Sequence, residues 1–251
     1  MRLTVIGCSG SYPGPDSAAS CYLLEAGSTR LVLDLGNGAL GSLQRHTNPD
    51  GVDAVLLSHL HPDHCLDLCS YYIYRRYRPD GPPLPPIPVY GSTGVADRMA
   101  SAYGLPPDQG MREAFEYVEW SEDVAYEIGS VSVTVARVAH PVLAYGMRIE
   151  HEGRVFAYSG DTGPCAALDR VAKGADLFLC EAAFHVGRDS DRDLHLNGQE
   201  AAEAAGRAGA RSLLLTHVPP WNDPERTLAE ATPAFRGPIQ LARPGLVVEI
   251  D

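Results

Sequence analysis

The sequence predicts an α/β protein, an αββα sandwich of two packed mixed sheets with helices on the outside. Three observations predict it. Short apolar, β-branched runs recur in both halves of the chain, bounded by Gly, Pro, Ser and Asp. Each half contains a strand pair joined by a short Gly-containing turn, and helical segments separate the remaining strands. With 251 residues, 45% of them hydrophobic, the chain is long enough for one large core and reads as a single domain over 1–251.

Residues 3–6 read as the first strand, followed by a Gly/Ser/Pro/Asp loop over 7–17. Residues 21–25 and 30–35 flank Ala26-Gly27-Ser28-Thr29 as a hairpin. Residues 52–57 form a buried strand that runs directly into Ser58-His59, and the spacing predicts a helix over about 64–77. The stretch Gly81-Pro82-Pro83-Leu84-Pro85-Pro86-Ile87-Pro88 is too rich in proline for a helix or a central strand and reads as a stiff surface connection. In the second half, Val131, Val133 and Val135 alternate with Ser132 and Thr134, a strand with one polar face. Residues 144–149 and 154–158 flank Glu152-Gly153 as a second hairpin. Residues 177–180 and 213–216 are short buried strands, and helices fall near 164–172, 198–208 and 224–235.

Composition narrows the function classes. No run approaches the ~18 apolar residues of a membrane span, and the N-terminus enters a strand without an apolar export region. A cytoplasmic protein with no membrane partner is therefore expected. Cys8, Cys21, Cys65, Cys69, Cys165 and Cys180 form no CxxC pair and read as reduced and mostly buried. Twenty basic against 32 acidic residues give a formal charge of −12, which argues against a general nucleic-acid binder. A small anionic substrate stays compatible, because bound cations reverse the sign locally.

The sharpest feature is His59-Leu60-His61-Pro62-Asp63-His64 at the end of an apolar strand. Imidazole and carboxylate are the ligands suited to zinc and similar divalent ions. A strand-to-helix turn can aim His59 and His61 at one point while Asp63 and His64 face a second. A polar helix start would account for Asp63 alone. His140, Asp161 and His217 also sit where strands end. A lone strand-end histidine is usually a solvated or core residue, but together these seven side chains suffice for two metals with Asp161 bridging.

At these residues the sequence resembles the metallo-β-lactamase superfamily, and within it the ribonuclease Z-like branch. The likeness runs through Gly7-Cys8-Ser9-Gly10-Ser11, Leu33-Asp34-Leu35-Gly36-Asn37-Gly38, the HxHxDH run, His140-Pro141, Ser159-Gly160-Asp161-Thr162 and Leu215-Thr216-His217. The resemblance implies that His59, His61 and His140 hold one zinc, that Asp63, His64 and His217 hold the other, and that Asp161 touches both; manganese or iron are the other metals it admits. It also implies that His195 protonates the leaving oxygen and that Glu181 orients it, so Asp63, His195 and Glu181 are the candidate catalytic residues. Asn197 and Glu200, just beyond His195, have the spacing of a helix capping box. Two dications offset by two carboxylates and a bridging hydroxide leave a charge of about +1, suited to a phosphodiester.

A true ribonuclease Z grips tRNA with a long arm inserted between the positions matching His140 and Asp161. Here residues 141–160 are mostly used by the predicted hairpin, so tRNA is not an expected partner. The closer resemblance is to the actinobacterial atypical class II cyclic-nucleotide phosphodiesterases. It is carried by Gly14-Pro15-Asp16-Ser17, Leu43-Gln44-Arg45-His46, Cys65-Leu66-Asp67-Leu68, Phe178-Leu179-Cys180-Glu181-Ala182 and Leu214-Leu215-Thr216-His217-Val218-Pro219-Pro220-Trp221. It implies hydrolysis of 3′,5′-cyclic nucleotides, cyclic AMP foremost, to 5′-monophosphates, and the resemblance to the ribonuclease Z-like branch implies a homodimer. The CxCxxC zinc cluster of a related cyclic-phosphate phosphodiesterase is missing. The alternatives are an RNA or other phosphodiester hydrolase, a metallohydrolase of lactones, thioesters, sulfates or β-lactams, and an iron dioxygenase.

Four features keep two readings each. Tyr71 to Arg78 offers a stacking surface with a phosphate-facing guanidinium, or core aromatics beside a wet arginine face. Trp221 stacks a purine or packs under a proline-rich loop. Asp34 and Asp67 each support a ligand histidine or do not.

Overall fold

The computed structural model describes residues 1–79, 81–106, 109–122 and 124–251. Strands β1 (Arg2–Ser9), β2 (Ala18–Ala19), β3 (Cys21–Ala26), β4 (Thr29–Leu33), β5 (Ala54–Leu56), β6 (Ile87–Gly91) and β7 (Phe115–Glu119) build the first sheet with the C-terminal strand β15 (Val247–Glu249). Its order is β15-β1-β3-β4-β5-β6-β7, with β2 beside β1. The second sheet contains β8 (Tyr126–Ile128), β9 (Val131–Arg137), β10 (Tyr145–His151), β11 (Arg154–Tyr158), β12 (Leu177–Glu181), β13 (Leu213–Thr216) and β14 (Ile239–Leu241), in the order β14-β13-β12-β11-β10-β9-β8. Both sheets are mixed. The pairs β1/β3 and β3/β4 are antiparallel and those from β4 to β7 parallel. In the second sheet β8 to β11 are antiparallel and β11 to β14 parallel.

Three apolar clusters define the layers. Leu3, Val5, Leu24, Leu33 and Leu56 of the first sheet meet Val131, Val133, Met147, Phe156 and Leu179 of the second. On the outer face of the first sheet, Val32, Val55 and Val89 pack against α1 (Ala39–Leu43), α3 (Leu68–Arg76) and α4 (Val95–Tyr103) through Leu40, Leu43, Tyr71 and Met99. On the outer face of the second, Ala157, Phe178 and Leu213 pack against α5 (Ala166–Val171), α6 (Gly198–Ala208) and α7 (Pro224–Ala231). The αββα sandwich is thus the observed architecture.

Four expectations change in detail. The helix expected over 64–77 is two, α2 (Pro62–Cys65) and α3. Leu35 N–H donates to the His64 carbonyl and Asp67 N–H donates to the Leu35 carbonyl, so this backbone bonds to the strand β4 exit instead of continuing one helix. The helix expected over 224–235 stops at Ala231 and tightens into a 3-10 turn over Thr232–Ala234, where Pro233 removes an amide donor. The proline-rich connection ends inside a central strand: Ile87 and Pro88 belong to β6, between β5 and β7. The sheet tolerates Pro88 because pairing with β5 starts only at Val89, so no ladder bond there needs the missing N–H. Strands β2, β7, β8, β14 and β15 and helices α1 and α4 were not foreseen.

Two tight glycines join the loops of this edge. A Cβ at Gly36 would lie 2.0 Å from the Asp63 carbonyl oxygen, and one at Gly10 would lie 2.3 Å from the His217 carbonyl oxygen. Both obstacles are backbone and cannot swing aside. Gly36→Ala is expected to destabilise the fold by about 1–3 kcal/mol, read as a lower urea midpoint, and to lower metal affinity by moving Asp63.

Candidate metal centre

The constellation gathers at strand ends and at the short helix that follows one of them. His59 follows β5, His140 follows β9, Asp161 follows β11, Glu181 closes β12 and His217 follows β13. His61 precedes α2, while Asp63 and His64 lie within it. Carboxyl ends of parallel strands on one edge form the usual crevice of such sheets. Asp34 and His217 adopt positive φ of 53° and 58°, costing about 1–3 kcal/mol each, a conformation that surrounding contacts must hold.

The side chains converge as two groups. His59 Nε2 and His140 Nε2 lie 2.9 and 3.1 Å from His61 Nδ1. Ligand nitrogens around a tetrahedral zinc stand about 3.3 Å apart, so three ring nitrogens already outline one face of such a site. In the second group, Asp161 Oδ1 is 3.2 Å from His64 Nε2 and Asp161 Oδ2 is 3.1 Å from His217 Nε2. Asp63 Oδ2 stands 3.5 and 3.7 Å from the same two nitrogens. Asp161 Oδ2 also approaches His59 Nε2, at 3.8 Å, so this carboxylate faces both groups. His64 Nε2, His217 Nε2 and Asp161 Oδ1 are buried without a hydrogen-bond partner. Three orphaned polar atoms aimed at one point are costly in a protein, and a divalent cation is the partner that satisfies all three.

Hydrogen bonds behind the rings set their tautomers. Buried Asp34 accepts from Ser58 N–H at 2.7 Å, Ser58 Oγ at 2.8 Å, Tyr158 OH at 2.7 Å and His64 Nδ1 at 2.7 Å. Ser58 thereby spends its proton on Asp34 and accepts from His59 Nδ1 at 3.1 Å. His140 Nδ1 donates to the Leu194 carbonyl at 3.0 Å, and His217 Nδ1 is paired with Ser20 Oγ at 3.0 Å. The Nε2 atoms of His59, His64 and His140 are left facing the centre. Of the two supporting aspartates considered from sequence, Asp34 holds a candidate ligand histidine. Asp67 accepts from Leu40 N–H at the start of α1. Ser58, Ser20 and Tyr158 went unrecognised, since only the fold brings Ser20 and Tyr158 to the site.

The electrostatics divide the groups. Burial pushes the His59, His61 and His140 imidazoles down, leaving them neutral, the form that binds metal. Burial opposes charge on His64 too, but Asp161, Asp34 and Asp63 outweigh it and raise its pKa well above the ordinary value. Asp161 and Asp63 are likewise disfavoured by burial, yet His217 and His64 around the first and His64 beside the second hold them low. A site that draws a proton onto a fully buried imidazole is one that stabilises positive charge.

Residues 29–218 match the β-lactamase superfamily domain. The chain belongs to the β-lactamase superfamily. It is 45% identical over 244 residues to the uncharacterized protein Rv1339 of Mycobacterium tuberculosis, covering 95% of this chain and 88% of that protein. It is 31% identical over 252 residues to a ribonuclease Z of Mycolicibacterium gilvum, covering 89% and 86%. The crystal structure of the metallo-β-lactamase-fold protein YhfI from Bacillus subtilis superposes with a TM-score of 0.87 at 29% identity, covering 99% of both chains.

Beside the two groups, this superfamily member carries a third arrangement. His195 Nδ1 is 2.8 Å from Glu181 Oε1, and buried Glu181 also accepts from Thr162 N–H at 2.8 Å and Ala183 N–H at 3.1 Å. The His195 ring lies 5.7 Å from that of His140 and 5.5 Å from that of His217, with Phe184 edge-on at 5.1 Å. Burial lowers its pKa, but the charge and hydrogen bond of Glu181 prevail and raise it to about 9. Asn197 and Glu200 form the expected capping box at the start of α6, which fixes the chain two residues beyond His195. In the Tyr71 to Arg78 segment Tyr71 and Tyr72 are core aromatics, as the structural reading has it, but Tyr77 is exposed and Arg75 is buried instead of lying on a wet face, bonded to the Tyr71 hydroxyl and the Pro85 carbonyl. Cys8, Cys21, Cys65, Cys69, Cys165 and Cys180 are all unpaired. Among the described residues no helix is long and apolar enough to cross a membrane.

Proposed function

We propose that this metallo-hydrolase is a two-metal phosphodiesterase that opens 3′,5′-cyclic nucleotides, cyclic AMP foremost, to 5′-monophosphates. The observation that carries the reading is the His195–Glu181 pair beside the two ligand groups. His59, His61 and His140 would hold one cation, Asp63, His64 and His217 the other, and Asp161 both. Such cations, zinc being the ion best matched to these donors, bring the pKa of a water toward ~7 and draw the phosphoryl oxygens.

The chain's own residues supply the rest. An alkoxide leaving a phosphodiester needs a proton, and His195 carries one at neutral pH because Glu181 stabilises the imidazolium. Glu181 accepts from Nδ1, which leaves Nε2 as the donating atom. The Leu194 carbonyl binds His140, so the donor's own loop is tied to the first ligand group. Residues 141–160, where a ribonuclease Z arm would be inserted, are filled by β10 and β11 and their connections. That supports a small substrate over tRNA, as does the net charge of −12.

The test is hydrolysis of 3′,5′-cyclic AMP by metal-analysed protein, beside precursor tRNA, a lactone and an aryl sulfate. Release of 5′-AMP with little turnover of the others is expected. Preferred cleavage of tRNA or of a neutral ester by the fully loaded protein would overturn the substrate assignment.

A further inference from the structure

We infer that Tyr12 and Trp221 form a stacking platform for the base of the nucleotide. The inference rests on the phosphodiesterase reading and adds the group that would recognise the substrate's non-reacting end. Both aromatics are exposed, at 46% and 56%, and they touch each other with ring centroids 5.4 Å apart at 37°.

Each sits on a turn that holds it outward. Asn222 N–H donates to the Pro219 carbonyl at 2.9 Å, closing a four-residue turn with Pro220 and Trp221 at its tip. Pro219 and Pro220 restrict the backbone before the indole. Tyr12 N–H donates to the Gly10 carbonyl at 2.7 Å and Ser9 Oγ donates to the Tyr12 carbonyl at 2.8 Å, around Ser11 at φ 64°. The aromatic surface is therefore preformed, and stacking a ring there orders little further chain.

Both turns also hang from the candidate centre. Gly10 packs against the His217 backbone and its N–H donates to the Val218 carbonyl at 3.3 Å. Trp221 is four residues past His217, so chain length keeps it within about 14 Å. Asn222 donates to the Ala183 carbonyl at 2.6 Å and accepts from Arg188 at 2.7 Å, which ties the Trp221 turn to the segment leading from Glu181 to His195. Two exposed aromatic rings are thus carried on turns whose backbone is tied to the His217 side of the His/Asp cluster. A planar heteroaromatic ring on a short phosphorylated sugar fits that juxtaposition.

The chain has two tryptophans; buried Trp120 contributes a background that a ligand stacked at the surface does not reach, so a ligand-induced change in indole emission reports on exposed Trp221. In the metal-loaded parent protein, which does not consume 5′-AMP, 5′-AMP is expected to quench that emission while ribose 5-phosphate does not, and Trp221→Leu is expected to abolish the response. In the active protein, Trp221→Ala is expected to raise KM for cyclic AMP about tenfold at unchanged kcat, leaving a base-free ribose 3′,5′-cyclic phosphate unaffected. Tyr12→Ala is expected to act in the same direction. Equal quenching by ribose 5-phosphate, or unchanged KM in both variants of a protein that hydrolyses cyclic AMP, would overturn the platform. Quenching by 5′-AMP in a protein that leaves cyclic AMP intact would keep the base site and sink the substrate reading instead.

Discussion

Asp161→Asn is expected to abolish hydrolysis and to drop the metal content from two equivalents to one or fewer. Asn keeps the shape of the side chain and removes the charge that faces His64, His217 and His59 together. A cation shared between the groups would lose its common anionic ligand. Charge stabilisation by such a cation is worth several kcal/mol, so the fall in kcat/KM should reach about a thousandfold or more. Metal binding only to the folded state raises its stability. Added zinc should therefore raise the melting temperature of the parent protein more than that of the variant. Full activity with two bound metals in Asp161→Asn would remove Asp161 from the centre.

His195→Ala is expected to behave in the opposite way toward metal, keeping both equivalents while turnover falls about 10²–10⁴-fold. His195 contacts the ligand rings but belongs to neither of the two ligand groups, and its own anchor is Glu181. The pH profile gives an independent readout. A general acid acts while protonated, so activity is present below the pKa of His195 and is lost as pH rises through it. With Glu181 in place that pKa is about 9, and bound cations can only lower it. Glu181→Gln removes the negative charge that raises it, so the basic limb should move to lower pH with metal content unchanged. A basic limb identical in both proteins would mean that another group donates the proton.

The helix start and the strand ends were legible because they depend on local chemistry. The HxHxDH run follows an apolar strand, α6 occupies the residues expected for it, and the Asn197–Glu200 box forms as its spacing implies. Elements whose pattern is diluted were not legible. β7 reads Phe-Glu-Tyr-Val-Glu, while β14 and β15 are three-residue edge strands with exposed positions, so no apolar run marks them. Pro88 argued against a strand by a rule that holds only where the missing amide faces a paired neighbour. The break between α2 and α3 is made by Leu35, a residue about thirty positions earlier, through backbone bonds that no window over 64–77 contains.

The same division runs through the site. The sequence by itself determined which side chains have metal chemistry and that they cluster at strand ends, because ligand identity and the strand-to-loop transition are properties of short segments. Only the tertiary structure decided that Asp34, and not Asp67, supports a candidate ligand histidine. Asp34 reaches His64 because β4 and β5 lie side by side, and Tyr158 reaches Asp34 because the two sheets pack face to face. Tyr22 of β3 makes the converse bond, its hydroxyl lying 2.6 Å from Thr216 Oγ1 just before His217. The orientation of a buried imidazole is set by whatever accepts or donates at its far nitrogen. In this protein Ser58 serves its neighbour His59, but Asp34, Leu194 and Ser20 reach His64, His140 and His217 from loops distant in sequence, so the fold fixes what the motif leaves open.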